Sequence, residues 1–116
     1  MVSCVARVEV PSAIWRKSRI GELGSSDASL LVAEFEVDYY GDAESSPRFA
    51  VIALPDPVLS DAAQLVATRA LRAYDAVHLA AARAARTADS SCSSFACFDS
   101  ELRNAAAADG FHLIPA

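Results

Sequence analysis

A chain of 116 residues, 53% hydrophobic and 22% charged, fits one globular domain and excludes a disordered tail. Its net charge of −5 and pI near 4.8 exclude attraction of nucleic acid by bulk electrostatics. A phosphate partner must then be held locally, by a divalent cation or by basic side chains. Three cysteines, Cys4, Cys92 and Cys97, form neither a CxxC nor a zinc-ligand spacing, and no charged segment followed by an apolar one opens the chain. The expectation is a reduced, cytoplasmic protein with no membrane role.

In chain order, Ser3 is a candidate N-cap for a helix running through Trp15 to about Arg19. Val5, Val8, Ser12 and Trp15 keep helical spacing along it, Glu9 lies beside that stripe, and Pro11 is expected to bend the helix. Gly21 and Gly24 flank a turn, and Ser26-Asp27 predicts the cap of a second helix carrying Leu31, Phe35 and Tyr39 on one face. Gly41 to Pro47 breaks it, and the continuous apolar run Phe49 to Leu54 predicts a buried parallel strand. Asp56-Pro57 opens a third helix carrying Val58, Ala62, Leu65 and Val66. A break from Ala70 to Tyr74 precedes a helix starting at Asp75 and ending near Thr87. Ala88 to Ser94 is a polar loop and Phe95 to Phe98 a strand. Ser100 to Asp109 is a helix closed by Gly110, and Phe111 to Ile114 a last strand stopped by Pro115. This order predicts a single α/β domain over residues 1–116, with a parallel sheet and helical crossovers.

Three acids stand in apolar surroundings: Glu9 on the first helix, Asp75 at the mouth of an almost wholly apolar helix, and Asp99 where a short strand gives way to a helix. The end of a strand is the usual place for an active-site group in an open α/β sheet. Carboxylates converging on one point suit a hard divalent cation, which takes oxygen ligands and activates water beside a phosphodiester. Each acid also has a structural reading. Asp75 would be stabilised by the helix macrodipole by about 0.3–1 kcal/mol, Asp99 would be an N-cap, and Glu9 an exposed helix residue. His78, one turn after Asp75, is either a proton carrier in the same cleft or a packed histidine, the commoner case on an apolar helix. The basic residues Arg16-Lys17-Ser18-Arg19, with Arg69, Arg72, Arg83 and Arg86, are candidate phosphate contacts or solvated helix faces.

Tyr74-Asp75-Ala76-Val77-His78-Leu79-Ala80-Ala81-Ala82 and Phe98-Asp99-Ser100-Glu101-Leu102 resemble the third and fourth acidic motifs of PIN-domain ribonucleases of the VapC toxin type. Arg7-Val8-Glu9-Val10-Pro11-Ser12-Ala13-Ile14-Trp15-Arg16-Lys17 resembles the helix that holds that family's second acid. The similarity runs in order from near residue 2 to residue 114 and covers roughly the C-terminal three quarters of a PIN domain. The family opens with a central strand that ends in an Asp followed by Thr or Ser, and nothing here matches that opening. Cys97 stands where the family often has a hydroxyl residue.

The resemblance implies a PIN-like α/β/α sandwich with a parallel sheet lacking its first, central strand. It also implies a Mg²⁺- or Mn²⁺-dependent endoribonuclease toxin that cuts structured RNA such as tRNA or rRNA, with Glu9, Asp75 and Asp99 as metal-site carboxylates. In the family the cation activates a water for in-line attack, leaving a 3′-hydroxyl and a 5′-phosphate. A homodimer and a cognate antitoxin whose tail enters the acidic groove are implied as well. The alternative is a catalytically inactive remnant that binds an antitoxin or a PIN partner. A plain α/β helper domain whose acids are all caps is the third reading.

Overall fold

A computed structural model describes residues 1–116, in a mixed α/β fold of five helices and four short strands. The chain forms two compact units, Met1–Val51 and Ile52–Ala116.

The first unit is built on a helical hairpin. Strand β1 (Val2–Ser3) leads into α1 (Ala6–Arg19), and α2 (Ser25–Tyr40) follows a turn in which Gly21 has φ +83°. Ser3 is not the cap of α1: it lies buried in β1, and the helix starts after Val5 with no side-chain cap. The stripe read along α1 points outward, since Val8 is 70% exposed while the neighbouring Ala6 is buried. Polar contacts join the two helices instead. Arg7 reaches Glu36 at 3.0 Å and donates from Nε to the Tyr40 hydroxyl at 3.1 Å. On α2 the predicted face holds in part: Tyr39 is buried, and Phe35 packs against Tyr39 and Phe49 with ring centroids 5.8 and 6.4 Å apart.

Strand β2 (Val51–Ile52) pairs with β1 and is shorter than the apolar run predicted. Arg48 and Phe49 donate their N–H groups to the Asp38 carbonyl near the end of α2, at 2.7 and 3.3 Å, which commits that backbone to the helix terminus. Gly41 completes the same turn at φ +76°, where a Cβ would come within 2.7 Å of the Ser45 carbonyl oxygen.

The second unit holds the larger core. Helix α3 (Asp56–Arg69) starts at Asp56-Pro57, with the ring at a position where the missing N–H is no loss. Its buried Val58, Ala62 and Leu65 meet Ala76, Leu79 and Ala80 of α4 (Ala73–Ala88), whose small residues let the helices approach closely. Between them Ala70 takes a left-handed conformation, φ 53°, and Leu71 is buried. Strand β3 (Ser94–Ala96) places Phe95 in the core and runs parallel to β4 (His112–Ile114), with Phe95 opposite Leu113. Helix α5 (Ser100–Ala108) lies between these strands in sequence and buries Leu102, Ala105 and Ala106. Gly110, at φ +86°, ends that turn as the sequence predicts.

The four strands thus form two separate pairs, β1 with β2 and β3 with β4. No helix is long and apolar enough to cross a membrane.

Candidate functional site

Helix α4 begins two residues earlier than the sequence reading places it, so Asp75 is third in the helix and not its first residue. It sits in the first turn, where unpaired N–H groups and the macrodipole favour a negative charge. Its next neighbour, Ala76, is fully buried, which sets Asp75 at the edge of the core with 20% of its side chain exposed.

Asp99 is reached from the other direction, through β3 and the short link to α5. It is the N-cap of α5: Oδ1 accepts the Leu102 N–H at 2.9 Å. The link is held by Arg103, which donates to the Cys97 carbonyl at 2.9 Å. The capping role and an outward-facing carboxylate are therefore compatible, because capping uses one oxygen and leaves the other.

That second oxygen meets Asp75 through Arg72. The Arg72 Nη2 lies 3.4 Å from Asp99 Oδ2 and 3.3 Å from Asp75 Oδ2, and Nε donates to the same Asp75 oxygen at 3.3 Å. Two carboxylates from different elements thus converge on one nitrogen. The guanidinium itself is 75% exposed. The sequence offers Arg72 as a candidate phosphate contact or part of a solvated helix face, and neither reading includes this bridging role. The available signal was its position three residues before Asp75, a spacing that brings helical side chains together.

Cys97, two residues before Asp99, lies within the field of both acids. Burial pushes its thiol upward, Arg103 draws it down, and Asp99 and Asp75 add to the rise, so the neutral thiol is the favoured form. His78 is half-buried one turn beyond Asp75. Glu9, the third acid of the sequence reading, lies half-buried in the first turn of α1, in the first unit. Neither unit by itself gathers three or more His, Cys, Asp and Glu side chains in a metal-holding group.

The other basic residues of α3 and α4 have internal partners. Arg69 and Arg83 both pair with Asp109 at the far end of α5, Arg83 also meets Asp61 at 3.2 Å, and Arg86 donates to the Asp109 carbonyl at 2.8 Å. Arg86 lies 4.0 Å over the Phe111 ring. These arginines brace the end of α5 and are not an open phosphate surface. An open groove of about 340 Å³ beside Arg69, Glu101 and Asn104 includes neither Asp75 nor Asp99 in its lining. Set against known proteins, the chain matches no family model and no curated protein.

Proposed function

We propose that the chain is a PIN-type endoribonuclease dependent on Mg²⁺ or Mn²⁺, a toxin with a cognate antitoxin, acting on structured RNA such as tRNA or rRNA. The observation that carries this reading is the convergence of Asp75 and Asp99, from two separate elements, on a single cationic nitrogen. Both lie in the two segments that resemble PIN acidic motifs.

The donor set fits a hard cation, since both groups are carboxylates and both direct an oxygen at a positive charge. Such an ion, when bound, would supply an activated water and offset charge on the phosphodiester. Asp75 would hold it from the first turn of α4, where packing of the next residue fixes the helix. Asp99 would hold it through Oδ2 while Oδ1 keeps α5 capped. The resemblance assigns the third carboxylate to Glu9, and a homodimer and a PIN-like sandwich belong to the same reading.

The test is incubation with total tRNA and rRNA plus Mg²⁺ or Mn²⁺, beside EDTA controls and the variants D75N, D99N and E9Q. Discrete cleavage that needs metal and disappears in each variant supports the enzyme. The division of the strands into two pairs favours a second reading, a catalytically inactive PIN remnant that offers strand edges to an antitoxin or a PIN partner. Absence of cleavage from demonstrably folded protein would select that reading.

A further inference from the structure

We infer that Arg72 is the resident counter-cation of the Asp75 and Asp99 pair, and that a divalent ion binds there by displacing its guanidinium. The inference rests on the pair being a metal site and adds a competitor built into the chain. One nitrogen, Nη2, stands 3.3 Å from one carboxylate oxygen and 3.4 Å from the other. Both distances exceed the roughly 2.7–2.9 Å of strong charge-assisted hydrogen bonds, so the guanidinium is loosely held.

The two acids and the arginine differ in how firmly they are placed. Asp99 is anchored by its bond from the Leu102 N–H, and Asp75 rides on a helix turn whose next residue is fully buried. The Arg72 side chain is 75% exposed and can swing into water without leaving a buried donor unsatisfied. The carboxylates stay and the cation leaves. A hard divalent ion takes such oxygens at about 2.0–2.6 Å, closer than the nitrogen's 3.3 and 3.4 Å, so an ion drawn between the same two oxygens would need the space and the charge partners the guanidinium now has. The two occupants exclude each other. The nearby Arg103 is bonded to the Cys97 carbonyl and does not bridge the pair.

The test is a Mn²⁺ titration of the full chain, followed by the paramagnetic resonance signal of the free ion, for the unaltered protein, R72Q, R103Q and D75N. At low salt R72Q should bind Mn²⁺ about tenfold more tightly, about 1.4 kcal/mol, since the ion no longer has to displace a guanidinium. R103Q should shift affinity by a smaller factor, and D75N should lose the site. If R72Q binds no more tightly than the unaltered protein while D75N still abolishes binding, the displacement is wrong and the metal site stands. Equal tightening in R72Q and R103Q also overturns displacement, because general charge would then account for both. No D75N-sensitive binding in either the unaltered protein or R72Q overturns the inference and the metal reading together.

Discussion

The two ends of α5 use the same residue types in opposite ways. At its C-terminal end, Asp109 has a side chain only 10% exposed and receives Arg69 and Arg83, whose own side chains are about one-third exposed. At its N-terminal end, Asp99 is 37% exposed and meets one arginine that is mostly in water. Partly buried, multiply bonded charges brace a fold, because removing one partner strands the others in a medium that solvates them poorly. Exposed, singly bridged charges add little to stability, and their oxygens remain available for another cation. Burial, more than residue identity, separates the two arrangements.

The comparison can be broken first at the C-terminal end. D109A should lower stability by about 2–3 kcal/mol, read from the urea midpoint, since two partly buried guanidinium groups lose their partner. A loss under half a kcal/mol would remove the distinction between the ends. Next in size is D99A, expected to lose about 1 kcal/mol through the missing cap, whereas D99N keeps an acceptor and should fold almost normally. Both changes remove the charge, so a shared loss of metal binding beside unequal stability would separate the two tasks of Asp99. R72Q should change stability by less than about 0.5 kcal/mol, as befits an exposed pair.

The smallest effect is a dependence on pH. The Cys97 thiol is raised above its ordinary value of 9.0 in the folded chain, so folding favours its protonated form. That contribution is fully present below pH 9 and is lost as pH rises through the higher folded value. C97A should therefore show a flatter stability profile above pH 9 than the unaltered protein. Tyr39, whose phenol is also raised by burial, remains in both and cancels in the difference.

Much of the second unit was legible because local signals agree with tertiary packing there. Asp56-Pro57 marks the start of α3 and Gly110 the stop after α5, each for a backbone reason that no distant contact overrides. The first unit was less legible. An apolar run such as Phe49 to Leu54 predicts a strand only if its backbone is free to pair, and the Asp38 carbonyl takes the N–H of Phe49 at its start and that of Arg48 just before it. The helical period of α1 was readable, but the period does not say which face turns inward, and Ala6 rather than Val8 is buried. At the candidate site, Asp75 and Asp99 could be picked out one at a time from their apolar settings. The cation between them could not, since Arg72 and Asp99 are far apart in sequence and meet only through the fold.

The buried stripe of α4 has a consequence for how sequence change is tolerated. Ala76, Leu79 and Ala80 fix the rotational phase of this helix against the core, and Asp75 inherits its aim from them. One residue inserted between Asp75 and Ala76 would turn the acid by about 100° relative to that stripe. The carboxylate would swing away from Asp99 while Ala76, Leu79 and Ala80 kept their places in the core. A change of reading frame in space, with no loss of composition or charge, is thus enough to separate the pair, whereas the loop after Gly41 has no such phase to lose.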